Sequence, residues 1–196
     1  MISDKKLDRI VNILKNDGIG VIPTDTIYGL VGSVFSEKAV ERIFKVKNRE
    51  KDKPLIVLVS SISDLKKFDI EISDELKRIL KKYWPGKNSI ILQLPESSLT
   101  RLKYIHRGTN SLAFRFPKKE SLIKILQKTG PLVAPSANPE KFKPAENIIQ
   151  AKKYFKNEVD FYIASGTLKS KASTLIRINE DGSIEVLRGI INNNGK

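Results

Sequence analysis

Hydroxyls, carboxylates and cations gather at a few points of this 196-residue chain, each beside an apolar run. In VIPTDTIYGLVG, Thr24 and Thr26 flank Asp25 just after the run Ile19–Ile22 and Pro23. Pro, Asp and Thr are ordinary turn formers, so the stretch reads either as a surface turn or as the rim of a ligand pocket. In KVKNREKDKPLIVLV, Lys45, Lys47, Arg49, Lys51 and Lys53 recur at alternate positions ahead of a buried run. Such a segment is a solvated loop unless it faces a cleft, where fixed cations suit a polyphosphate. In SLAFRFP, Arg115 interrupts an apolar strand and is costly there unless paired, with an internal carboxylate or with an anionic ligand. Ser111 shares its face, roughly 13 Å away at the usual strand rise. APSANP, residues 134–139, sets Ser136 and Asn138 at the end of another short run; Ser173 and Thr174 open one strand and Arg188 closes the next. One such strand end is ordinary turn chemistry. Repeated along the chain, they point to a shared polar cleft along strand ends, the usual ligand position in an open α/β sheet.

Composition narrows the chemistry. With no cysteine, disulfides, thiolate catalysis and cysteine zinc sites are excluded, and the single His106 leaves no histidine-rich metal site. An enzyme built from this chain works with carboxylates, hydroxyls, Lys and Arg, and a metal carried by its substrate. The formal net charge of +14 favours an anionic partner, although much of the lysine falls on helix faces such as ELKRILKKYW. The N-terminus lacks a signal-peptide pattern and PLIVLV is far too short to span a bilayer. The expectation is a cytoplasmic protein with no membrane contact.

The elements that must position these groups follow from periodicity. Residues 4–16 read as an amphipathic helix with Leu7, Ile10, Val11 and Leu14 on one face. Ser36 and Ser73 cap two further helices, and others are expected after SLAFRFP and over AENIIQAKKYF. GIGVI, PLIVLV, SIILQL, SLAFRFP, PLVAP, FYIAS, STLIRI and IEVLR read as strands, the last two as a hairpin through Glu-Asp-Gly-Ser. In SLAFRFP, Leu112, Phe114 and Phe116 face one way, and Ser111, Ala113 and Arg115 the other. Strands alternate irregularly with helices, so the fold class is α/β with a mixed sheet. One domain over residues 1–190 is expected, with a disordered tail at 191–196.

PTDTIYGL, KVKNREKDKPL, LAFRFP, PLVAPSANP and STLIRI…VLRG, in this order and spacing, resemble the YrdC family of threonylcarbamoyl-AMP synthases. The resemblance runs from about Gly18 to Gly189 and is to the short, single-domain form. It implies a twisted mixed sheet flanked by helices, with a large basic concave groove. It also implies condensation of L-threonine, bicarbonate and ATP to threonylcarbamoyl-adenylate with release of pyrophosphate. Other proteins, tRNA threonylcarbamoyl transferases, would then pass the group to tRNA.

The resemblance assigns Thr26, Arg115, Ala134 and Ser173 to threonine, with Arg115 on its carboxylate. It assigns Arg49, Lys53, Ser111, Ser136, Asn138 and Arg188 to ATP. Lys47 and Arg49 are the expected catalytic cations, Lys47 on phosphate or bicarbonate. Magnesium is expected with the ATP and no protein-bound metal otherwise. The chain departs from the family pattern at PEKFKP, where a Ser-Gly pair is usual, at PGKNS, and at Arg177. The competing class is a non-catalytic module that grips tRNA or double-stranded RNA through its phosphates.

Overall fold

The computed structural model describes residues 3–50, 55–179 and 182–191. Helix α1 (Asp4–Lys15) buries Leu7, Ile10, Val11 and Leu14, the stripe its spacing dictates. Strands β1 (Ile19–Pro23) and β2 (Tyr28–Ser33) form an antiparallel hairpin in which Pro23 faces Tyr28. Helix α2 (Glu37–Lys47) begins at Ser36, whose hydroxyl accepts the Ala39 N–H at 3.0 Å. Strand β3 (Ile56–Leu58), a 3-10 helix (Ile62–Phe68), helix α3 (Asp74–Tyr83) and strand β4 (Asn88–Gln93) follow. Two one-turn helices, α4 (Glu96–Leu99) and α5 (Lys103–His106), precede β5 (Ser111–Arg115). The chain continues through α6 (Glu120–Thr129), β6 (Leu132–Val133), α7 (Ile148–Phe155), β7 (Phe161–Tyr162), β8 (Thr174–Ile178) and β9 (Ile184–Arg188).

All nine strands of this description join one mixed sheet in the order β7-β1-β2-β6-β3-β5-β4-β8-β9. The pairs β1–β7, β3–β5 and β4–β8 are parallel and the others antiparallel. The α/β class with a mixed sheet is as the periodicity indicates.

Strand β2 is the element that pattern reading overlooked. Tyr28 to Ser33 contains two glycines and does not alternate, because Leu30 packs into the core on one face and Val31 on the other. Gly32 is small for a reason: a Cβ there would lie 3.1 Å from Ile43 Cδ1 and 3.2 Å from Ala39 Cβ, where α2 crosses the strand. The 3-10 helix and the two one-turn helices are likewise not evident from pattern. They are too short to show a period.

The sheet separates two apolar clusters. On one face α2, α3, α7 and the 3-10 helix pack on Ile19, Leu30, Val57, Ile90, Phe114 and Ile176. On the other, α1 and α6 pack on Ile22, Val31, Leu58 and Leu132. These two helices cover the β1-β2-β6 part of that face, and the candidate site occupies its continuation over β3, β5, β4 and β8.

Candidate active site

The turn between β1 and β2 locks itself. The Thr24 hydroxyl donates to the Ile27 carbonyl at 2.7 Å and accepts the Thr26 N–H at 3.1 Å. The Thr24 and Thr26 hydroxyls stand 3.0 Å apart. The Thr24 hydroxyl thus stabilises the turn, in the manner of a local side-chain bond that replaces a backbone one, and both threonines line the cavity beside it.

Arg115 answers both alternatives that the sequence leaves open. Its Nη2 donates to Asp25 Oδ1 at 2.9 Å, and its Nη1 to Thr26 Oγ1 at 2.9 Å. The two side chains of the ion pair are 4% and 8% exposed. Asp25 Oδ2 also accepts the Lys118 N–H at 3.0 Å. The internal partner is thus Asp25, a role that sequence reading missed although the carboxylate sat in the quoted motif. Yet the guanidinium also lines a cavity. Burial lowers the Arg115 pKa, the Asp25 charge opposes that and Arg188 adds to it; arginine remains a cation throughout the accessible pH range.

Two cavities adjoin here. The first, of about 80 Å³, is lined by Thr26, Arg115, Ala134 and Ser173 together with Ser136 and Arg188. The second, of about 290 Å³, is lined by Arg49, Ser111, Ser136 and Arg188 above an apolar floor that includes Ile91 and Ala113. All four residues assigned to threonine meet at the smaller cavity, and four of those assigned to ATP at the larger. Ser136, Arg188 and Ile56 belong to both. The strand-end cleft expected from the sequence is corrected in one respect: the larger cavity lies over the face of the sheet. Ile56 pairs with Ala113 and Ala113 with Ile91 across β3, β5 and β4, and their side chains share one pleat. This is the face on which the alternation of SLAFRFP places Ser111, Ala113 and Arg115.

The remaining contacts hold this set in place. Ser173 Oγ lies 2.8 Å from Ser89 Oγ, and the Ser173 carbonyl accepts Arg188 Nη2 at 3.0 Å. Ala134 donates its N–H to the Ile56 carbonyl at 2.8 Å, so its side chain and carbonyl are what it can offer the cavity. Asn138 and Lys47 line neither cavity. Asn138 Nδ2 donates to the carbonyls of Pro139 and Phe142 at 2.9 and 2.7 Å, bracing the loop after Ser136. Lys53 and its neighbour Lys51 lie outside the described residues, and Lys45 is exposed.

Lys47 is 2% exposed, with Nζ 2.6 Å from the Ser136 carbonyl and 2.5 Å from that of Asn138. Burial, with Arg49 adding to it and Glu140 opposing, pushes its pKa down to about 7. A neutral amine has two hydrogens, one for each carbonyl. Unfolded lysine stays charged to about pH 10.4. Between these values the unfolded chain binds more protons than the folded one, so this group makes stability rise with pH from about 7 towards 10. Below pH 7 the group is protonated in both states and its contribution no longer changes with pH. Denaturant titrations at pH 6, 7.5 and 9 are expected to show a steeper rise for the wild type than for Lys47→Met; equal pH slopes would refute the shift.

The model of the Sua5/YciO/YrdC family, described as telomere recombination, matches residues 12–189. The chain belongs to this family. The threonylcarbamoyl-AMP synthase of Pyrococcus abyssi is 33% identical over 138 residues, covering 70% of this chain and 40% of that protein. The Pseudomonas fluorescens protein of the same name is 25% identical over 187 residues, covering 94% of this chain and 98% of its own. The structure of P. abyssi Sua5 complexed with L-threonine superposes with a TM-score of 0.85 at 27% identity, covering 96% of this chain and 55% of that one. The chain thus spans about two-fifths of the P. abyssi protein's length in the sequence match and just over half in the structural one.

Proposed function

We propose that this chain condenses L-threonine, bicarbonate and ATP to L-threonylcarbamoyl-AMP, releasing pyrophosphate. The observation that carries the reading is the pair of adjoining cavities that share Ser136 and Arg188. The amino acid and the nucleotide need separate pockets, and the carbamate must travel only from one to the other. The family relatives named threonylcarbamoyl-AMP synthase, and the relative solved with L-threonine, support the same reading.

L-Threonine occupies the smaller cavity. Arg115 spends one N–H on Asp25 and one on Thr26, and its buried Nε has no partner among the described residues. Donors therefore remain for a carboxylate, which a guanidinium can grip with two parallel bonds. Ser173 and Ala134 complete the pocket. ATP occupies the larger cavity, with Arg49 and Arg188 on its phosphates and Ser111 and Ser136 beside it. The threonine nitrogen attacks bicarbonate, giving a carbamate and water. A carbamate oxygen then attacks the α-phosphorus; the bond from that phosphorus to the bridging oxygen breaks and pyrophosphate leaves. In-line attack at phosphorus needs positioning and charge neutralisation more than a protein nucleophile, which suits a site of arginines and hydroxyls. Magnesium enters on the triphosphate as part of the substrate; no cluster of three His, Cys, Asp or Glu among the described residues could hold a metal by itself.

The product serves tRNA threonylcarbamoyl transferase proteins in the cytoplasm, and the +14 charge supports transient contact with tRNA. No helix among the described residues is long and apolar enough to cross a membrane. Purified protein is expected to release pyrophosphate from ATP only when threonine and bicarbonate are both present. Equal release without threonine would mean a different acceptor, and none under any condition would favour the RNA-binding module.

A further inference from the structure

The end of α2 is clasped to the loop that follows β6. Lys47 Nζ donates to the carbonyls of Ser136 and Asn138, and the Glu140 N–H donates back to the Lys47 carbonyl at 2.6 Å. Glu140 Oε2 accepts the Glu50 N–H at 2.8 Å. Beyond Lys47 the backbone reverses. Asn48 adopts φ 49° and the Arg49 N–H returns to the Phe44 carbonyl at 3.1 Å, a left-handed helix ending. The reversal carries Arg49 to the larger cavity, and Ser136 meets that cavity from the other end of the clasp.

Two carbonyls converging on one buried point repel each other and lose their hydration unless a donor stands between them. Lysine supplies two donors there at the end of a long apolar stem. The other flank of the loop is stitched independently to β2: Leu30 N–H donates to the Pro135 carbonyl and Ala137 N–H to the Tyr28 carbonyl, both at 2.9 Å. Without the Lys47 side-chain bonds the loop stays attached to the sheet, and on its α2 side the Ser136 and Asn138 carbonyls lose their donor while the Glu140 bonds remain.

We propose that Lys47 is a positioning residue, which ties the Ser136–Asn138 backbone to the end of α2 and so sets the separation of Arg49 and Ser136 across the larger cavity. It touches neither substrate. This assignment rests on the reading of that cavity as the nucleotide site. It replaces the direct contact with phosphate or bicarbonate that the sequence motif suggests, since Nζ is turned away to main-chain carbonyls.

The test is Lys47→Met in the full chain, with Arg49→Met as its counterpart. Three quantities are measured: amide hydrogen exchange without ligands, affinity for a non-hydrolysable ATP analogue, and affinity for L-threonine. Lys47→Met is expected to speed exchange in residues 136–141 while α7 keeps its protection, and to weaken the ATP analogue about tenfold, the scale of one or two lost hydrogen bonds. Threonine affinity should change by less than about threefold, because Thr26, Arg115 and Ser173 are held by other contacts. Arg49→Met should weaken the analogue while speeding the exchange of residues 136–138 less than Lys47→Met does. Lys47→Gln, which keeps an amide donor on a shorter stem, should fall between wild type and Lys47→Met in both readouts, and carries the comparison should the methionine variant not fold. Lost nucleotide affinity with unaltered loop exchange would overturn the proposal in favour of direct contact. Faster exchange with unaltered affinity would overturn it in favour of a purely structural tie. A wild type that binds neither nucleotide nor threonine would overturn the reading of the cavities themselves.

Discussion

Arg115→Lys is expected to weaken L-threonine binding roughly ten- to a hundredfold and to leave the affinity for a non-hydrolysable ATP analogue nearly unchanged. Arg115 lines the smaller cavity and not the larger one, so the effect should be confined to one ligand. Its guanidinium bonds Asp25 and Thr26 on one side and retains donors for a ligand. An ammonium has three hydrogens on one atom and cannot serve Asp25, Thr26 and a carboxylate in that planar spread. The loss of one charge-assisted bond costs about 1.5–3 kcal/mol, which at about 1.4 kcal/mol per factor of ten gives the stated range. Arg115→Met should do something different. It leaves Asp25 without its buried ion-pair partner, with Lys119 the remaining cation nearby, and breaking a buried pair from one side typically costs about 3–5 kcal/mol of folding stability. Calorimetric titration of each ligand, with denaturant unfolding of each variant, checks both. Equal losses for the two ligands in Arg115→Lys would reduce Arg115 to a structural partner of Asp25.

Arg49→Ala is expected to cut pyrophosphate formation by about tenfold or more, and Lys45→Ala to leave it close to wild type. Both cations belong to the same alternating run, so charge counting treats them alike. The structure separates them: Arg49 reaches the larger cavity, whereas Lys45 is exposed on α2. A cation in water gains little from a distant phosphate because solvent screens it. One that bonds a phosphate in a partly closed cavity contributes about as much as a charge-assisted hydrogen bond. Steady-state assays at saturating threonine and bicarbonate, with ATP varied, make the comparison. If the two variants lose activity equally, the run acts only as a basic surface.

The sequence by itself determined the features that are local or that depend on one element's face. The caps at Ser36 and Ser73 follow from a hydroxyl ahead of an apolar period, and both hydroxyls accept the expected N–H. The alternation in SLAFRFP separates Phe114, in the core, from Ser111 and Arg115, on the cavity face. The ordered motifs identify the family, because they sample the whole length of the fold.

What a side chain turns to meet is decided between elements distant in sequence, and there the tertiary structure had the deciding part. Strand β2 shows no period, since its two faces are buried by different layers. Whether Arg115 needs Asp25, a ligand or both depends on the register of β3 against β5 and on the turn that closes β1 and β2. Lys47 and Arg49 are two residues apart in one basic motif, yet one is drawn inward by the carbonyls of a loop some 90 positions later and the other is delivered to a cavity. Charge and spacing are the same for both in the sequence. The difference comes from non-local backbone groups that must be satisfied when the chain closes, and these exist only in the folded molecule.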